Sequence, residues 1–269
     1  MQRFVQRANR KRGTNMDVAK KLSLTYNPVG IWFKDEKPEG AFEFDPATRP
    51  CVVSMLVAAS KGKTVAVSDE TCTCPGGAVG LGFGDAFERR DAPTMWMLAH
   101  GHECPDWPKE RTLRPGMERG ERFFCSSEAS NRWRAEMNLT EATYRYVVFA
   151  PLEARPFEDG PDLVWLLANP DQLSALVIMC GYSTGRSLNV IAPFCAGCQS
   201  IALAKQYLEK EDPLAIMGMF DISQRYRLPK EVLSLTMPFA MYADIEAHCE
   251  EGCLTTPSWE NIANRFSDE

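Results

Sequence analysis

Strand-length apolar runs alternate along the chain with helical patterns, and no other feature narrows the fold as far. The runs are VGIWF (29–33), TVAVS (64–68), YRYVVFA (144–150), DLVWLLA (162–168), SLNVIA (187–192) and AIMGMF (215–220). Most are rich in β-branched or aromatic residues and are bounded by Gly, Pro or Asn. Between them lie CVVSMLVAASKG (51–62), DQLSALVIMCGY (171–182), QSIALAKQYLEK (199–210) and LPKEVLSLTMPFAM (228–241), which read as helices. Strands that are apolar throughout are buried on both faces, which requires helices on both sides of the sheet. The expected fold is a single α/β domain with a mixed, largely parallel sheet flanked by helices.

One segment breaks this rhythm. Residues 87–140 contain HGHECPDWPKERTLRPGMERGERF, dense in charge, Pro and Gly, and read as a charged excursion, an insertion or lid, rather than a second domain. The helix SSEASNRWRAEM within it should begin at a cap on Ser126 or Ser127. Residues 1–15 read as a loose basic arm ahead of a domain over 16–269, with Met16 a candidate natural start. No apolar stretch of about 7 to 15 residues follows the arm, as a secretory signal requires. No run reaches the roughly 20 apolar residues of a membrane helix. A cytoplasmic protein is therefore expected, with no membrane partner. The formal net charge of -6 disfavours nucleic acid and anionic membranes and leaves a small molecule as the expected partner.

Ten cysteines are many for such a chain. In a reducing compartment, clustered thiols serve as metal ligands or redox groups more readily than as structural disulfides. Isolated ones, such as Cys125 and Cys180, read as small buried hydrophobes.

The densest cluster is TCTCPGGAVGLGFG (71–84), with Cys72, Cys74 and five glycines. Gly80, Gly82 and Gly84 are spaced G-x-G-x-G, which fails the dinucleotide fingerprint, and no Gly-Lys-Ser/Thr makes it a phosphate loop. What remains is a tight turn at Pro75-Gly76-Gly77 that brings backbone amides round the Cys74 sulfur, an arrangement suited to a metal-bound thiolate. A plain glycine turn with an idle thiol is the alternative.

The second cluster is APFCAGCQSIALAKQ, where Cys195 and Cys198 leave a strand at the head of a helix whose dipole should lower their pKa. The pair reads as half of a metal site, as a dithiol redox couple, or as a chance pair. Two cysteine clusters, each after a strand, favour metal. In open α/β sheets ligands collect beyond the carboxyl ends of strands, so Cys74, Asn169, Cys195 and Asp221 are expected around one crevice. Arg225, four residues after Asp221, could present a planar guanidinium to an anionic substrate there, or pair structurally with Asp221. Two further groups, His100, His102 and Cys104 in HGHEC and His248, Cys249 and Cys253 in HCEEGC, lack zinc-finger spacing and read as solvated loop residues, with a zinc pair or a supplementary ligand set as the alternative for each. No G-x-S-x-G elbow or H-E-x-x-H helix is present, which argues against serine hydrolase and zinc protease chemistry.

NPVGIWF, RPCVVSMLVAASKGKTVAVSDETCTCPGGAVGLG, YVVFAPLEARPFEDGPDLVWLLANPDQLSALV, the CAGC region and FDISQRYRLPKEVLSLTMPF together resemble the bacterial and archaeal proteins grouped as domain of unknown function 169. The resemblance runs from Asn27 to Phe239, and its most specific parts are the Cys-Pro-Gly-Gly turn, APLE ahead of a strand ending in NPDQ, and LPKEVL. It implies a single domain with a common site, draws attention to Cys51, Cys74, Asn169, Cys198 and Arg225, and implies no substrate. The segment around HGHECPDW is longer than the resemblance leads one to expect, which leaves His100, His102 and Cys104 without an implied role.

The leading expectation is an iron-sulfur protein of oxidoreductase type. A [4Fe-4S] cluster would be held by Cys51, Cys74, Cys195 and Cys198, with Cys72 as substitute fourth ligand. Its partners would be a small, anionic substrate bordered by Asn169, Asp221 and Arg225 and a ferredoxin-type electron donor. The alternatives are a zinc-stabilised small-molecule binding protein and a dithiol redox protein using Cys195 and Cys198.

Overall fold

A computed structural model describes residues 17–84, 94–100, 120–137, 139 and 141–266. Its elements are, in order, α1 (Asp17–Lys21), β1 (Val29–Lys34), α2 (Val52–Ser60), β2 (Val65–Val67), α3 (Pro75–Gly80), α4 (Thr94–His100) and α5 (Ser127–Glu136). There follow β3 (Tyr146–Pro151), β4 (Leu163–Ala168), α6 (Pro170–Met179), β5 (Val190–Ile191), α7 (Gly197–Lys205) and β6 (Ala215–Gly218). The chain continues with α8 (Ile222–Arg225), β7 (Leu233–Pro238), α9 (Phe239–His248) and α10 (Pro257–Ala263).

The strands form one seven-stranded sheet in the order β2-β3-β1-β4-β7-β6-β5. The α/β class and the mixed sheet stand, but the expected largely parallel arrangement does not. Among the strands of the described residues only β5 and β6 run parallel, and every other neighbouring pair is antiparallel. Helices cover both faces, so strand direction leaves no mark on an apolar pattern that only records burial. A second correction concerns residues 228–241. Instead of one helix they form β7, which pairs with both β4 and β6, followed by the start of α9. In LSLTMP, Leu235 and Met237 enter one core while Ser234 and Thr236 are buried on the other face, the alternation of a central strand.

Alternation along the strands feeds two cores. Val29, Ile31, Phe149, Leu163 and Trp165 point to the face covered by α2, α3 and α7. Val164, Leu166, Ala168, Leu235 and Met237 point to the opposite face, against α1, α6, α9 and α10. All the cysteines of the two sequence clusters that enter a core belong to the first.

The described part of the 87–140 segment packs next to α7. Ser126 caps α5, its hydroxyl accepting from the Ala129 amide at 3.2 Å. The Trp133 indole N–H donates to the Phe194 carbonyl at 3.0 Å, and Phe124 closes an aromatic group with both rings. Phe194 directly precedes Cys195. The basic arm, His102, Cys104 and most of the charged stretch lie outside the described residues, and with them any lid. Among the described residues no helix is long and apolar enough to cross a membrane.

Candidate functional site

Three helices on the first face begin at one place, and each carries a cysteine at its head. Cys51 is the N-cap of α2, Cys74 is the N-cap of α3, and Cys198 is the second residue of α7. Local chemistry sets these starts. Pro75 occupies the first position of α3, where a missing N–H costs nothing and φ is already helical. The Cys-Pro-Gly-Gly segment is thus the first turn of a helix rather than a free-standing turn, and the Gly77 amide donates to Cys74 Sγ at 3.3 Å. At α7 the Gln199 side chain accepts from the Ala196 amide at 2.6 Å and fixes the entry of the chain. The Cys198 thiol points at the Gly76 carbonyl, 3.5 Å away, and so faces α3.

The thiols act on one another. Burial pushes Cys198 well above the ordinary thiol range, and negative charge on Cys74, Cys51, Cys72 and Asp221 would push it further. Burial, then Cys74, raises Cys51 to about 11, while the Val53 and Ser54 amides and the Arg227 guanidinium pull the other way. Cys195 is raised to about 12 by burial and by Asp221. The expected lowering of Cys195 and Cys198 does not appear: both thiols are shifted upwards, with burial as the largest cause. Cys198 lies within electrostatic reach of Cys51, Cys72 and Cys74, and Cys51 within reach of Cys74. The charge that acts on Cys195 is that of Asp221. Between Cys72 and Cys74, the Thr73 hydroxyl is buried without a hydrogen-bond partner. Among the described residues no group of three or more His, Cys, Asp or Glu side chains is placed to hold a metal ion.

Of the remaining expected residues, Asp221 adjoins this group and Asn169 does not. Asn169 caps α6 on the opposite face, accepting from the Gln172 amide at 2.9 Å in a reciprocal capping box. Asp221 caps α8, its carboxylate accepting from the Ser223 amide at 2.9 Å and hydroxyl at 2.7 Å. Among the described residues Arg225 makes no ion pair with Asp221. It donates to the carbonyls of Pro229, Lys230 and Val232 and so ties the 229–232 loop. Arg227, which sequence reasoning passed over, is the arginine whose charge reaches Cys51.

His100 ends α4. His248 sits between Asp244 and Glu251 at the end of α9, and the Cys253 thiol points at the Ala175 carbonyl; Cys249 and Cys253 belong to the second core, on the other face of the sheet from the three helix heads. Cys180 is buried as expected, but Cys125 is exposed, since the loop ahead of α5 lies on the surface.

Fold and site define an α/β protein with a thiol group gathered at the heads of three helices. The chain belongs to the DUF169 family: the family model, described as uncharacterised ArCR, matches residues 17–248. No curated protein and no solved structure gives a match to it.

Proposed function

We propose that this chain is an iron-sulfur protein of oxidoreductase type, with a [4Fe-4S] cluster held by Cys51, Cys74, Cys198 and a fourth cysteine, Cys72 or Cys195. The observation that carries the reading is the convergence of three cysteines at three helix heads. Burial and mutual repulsion oppose ionising these thiols together, so several thiolates there require a positive centre. Helix N-termini and the Gly77 amide suit the negative sulfur that such a centre creates. The Thr73 hydroxyl supplies a further donor, so the residues fit the group.

When bound, such a cluster supplies one-electron transfer, or a Lewis-acidic iron if only three cysteines bind it. The chain's own part is to hold the sulfurs, to exclude water by burial and, through Asp221 and Arg227, to polarise the site, negative towards Cys195 and positive towards Cys51. A ferredoxin-type donor and a small substrate would be its partners.

Protein purified without oxygen should be brown and contain about four iron and four sulfide per chain. The Cys198→Ser and Cys74→Ser variants should lose most of the iron, and Cys253→Ser should keep it. A colourless wild-type protein, free of iron after reconstitution with iron and sulfide, would refute the proposal.

A further inference from the structure

The segment 221–227 meets the thiol group at both ends. The Phe220 amide donates to the Cys195 carbonyl at 3.2 Å, which places Asp221 against Cys195 and Cys198. At the far end, Arg227 Nη1 donates to the Ser54 hydroxyl at 3.2 Å in the first turn of α2, and Nε donates to Gln224 Oε1 at 2.7 Å. The guanidinium also lies over the Tyr226 ring, 5.1 Å from its centroid. These contacts orient the group but leave it underused. A guanidinium has five N–H donors, and among the described residues neither of those on Nη2 has a protein acceptor. No carboxylate of the described residues pairs with it either.

The position itself is costly. A cation at the head of a helix faces the positive end of the dipole, where an anion is favoured. Arg227 is half buried there, so bulk water screens the mismatch only in part. Arg225 has no such vacancy, because both of its Nη atoms are spent on carbonyls. Tyr226, whose ring lies under the guanidinium, and Ile222, four residues before it on the same face of the turn, are 64% and 69% exposed and offer apolar surface.

We propose that Arg227 is the oxyanion anchor of the thiol site, binding the carboxylate or phosphate group of a small molecule through its Nη2 edge together with the Ser54 hydroxyl. This rests on the reading of the thiol group as the reactive centre. The planar fork of arginine matches both oxyanions, and the anion would complete the unfavourable pairing of cation and helix head. The body of the ligand would lie towards Cys51, with Ile222 and Tyr226 against its apolar part. Substrate recognition is thereby assigned to Arg227, two residues beyond the arginine that the sequence pattern suggests.

The test is melting of the full chain against inorganic phosphate and, separately, against succinate, at ionic strength held constant with chloride. Wild-type protein should show a saturable rise with one of the two, which identifies the oxyanion class. Arg227→Gln should weaken that response about tenfold or more, as loss of a charged hydrogen-bonding partner implies, and Arg227→Lys should weaken it less. The lysine variant keeps the test usable if the glutamine variant does not fold. No response above the chloride control in wild-type protein would overturn the proposal. So would an Arg227→Gln protein that responds as wild type, or one that loses iron while its response is unchanged. Iron measured on the same samples after reconstitution with iron and sulfide separates the two readings: an oxyanion response through Arg227 in protein that stays free of iron sinks the cluster and leaves the anchor, and iron uptake without any oxyanion response does the opposite.

Discussion

The backbone of Cys198 occupies the space where a side chain on Gly80 would stand: a Cβ at Gly80 would lie 2.7 Å from the Cys198 carbonyl carbon and 2.8 Å from its oxygen. Helices α3 and α7 thus touch backbone to backbone at the cysteine. Gly80→Ala gains up to about 1 kcal/mol of helix propensity, but overpacking against a backbone that cannot rotate away costs about 1 to 3 kcal/mol. The clash should win. Chemical denaturation should show net destabilisation, with lower iron uptake if the cluster proposal holds. A variant as stable as wild type would mean that the two helices are not held this close.

Thiol reactivity should divide by burial. In metal-free protein, Cys125 is exposed and Cys74 partly so, while Cys51, Cys180, Cys195 and Cys198 are buried. With pKa values of about 11 for Cys51 and about 12 for Cys180 and Cys195, the thiolate fraction at pH 8 is about one part in a thousand or less. Mass spectrometry after brief iodoacetamide treatment should find label on Cys125 first, then Cys74, and little on the other four. Early labelling of Cys195 or Cys198 would contradict the buried placement and revive an activated dithiol.

Much of this arrangement is legible in the sequence, and what is not has physical causes. The strands at 29–34, 146–151 and 163–168 are readable because they are apolar on both faces, and α6 is readable because Asn169-Pro170 is a strong helix start. Strand direction is unreadable, since covered faces look alike in either sense. β7 is missed because residues 228–241 satisfy both periodicities, and only pairing to β4 and β6 decides between them. The C-x-x-C spacing suggests a working pair, yet Cys195 precedes the helix while Cys198 turns towards α3. Pro75 directly after Cys74 was the available signal that this cysteine heads a helix. Nothing in the sequence separates the roles of Arg225 and Arg227, which differ only in what the folded loop offers each.

Arg225 should prove structural. Its Nη atoms donate at 2.9, 2.8 and 2.6 Å to three carbonyls of the loop that leads into β7. Hydrogen bonds involving a charged group are worth roughly 1.5 to 3 kcal/mol each when well buried, and this one is partly exposed. Arg225→Ala should therefore cost about 2 kcal/mol in total, read as a lower denaturation midpoint. Iron content of the folded fraction should not change. Loss of iron without loss of stability would place Arg225 at the site after all.

Glu246 supplies a pH-dependent contact on the opposite face. Its carboxylate accepts from the Asp17 amide at 3.1 Å and the Val18 amide at 3.5 Å, at the head of α1, and from the Tyr242 hydroxyl at 2.7 Å. Burial still dominates and raises its pKa above the ordinary carboxylate value; the Tyr242 and amide hydrogen bonds oppose this, and Asp17 adds to it. The fold therefore favours the protonated form relative to the unfolded chain. Its contribution to stability is fully present below the unfolded pKa and is lost as pH rises through the folded one. Above that range the ionised group is the less stable occupant of the site, so the neutral isostere in Glu246→Gln should be at least as stable as wild type near pH 7. The gap should close as the pH falls into the carboxylate range and wild-type Glu246 takes up its proton. Denaturant unfolding of both proteins between about pH 4 and pH 8 measures this. A gap that widened on acidification would mean that the three donors, rather than burial, govern the carboxylate.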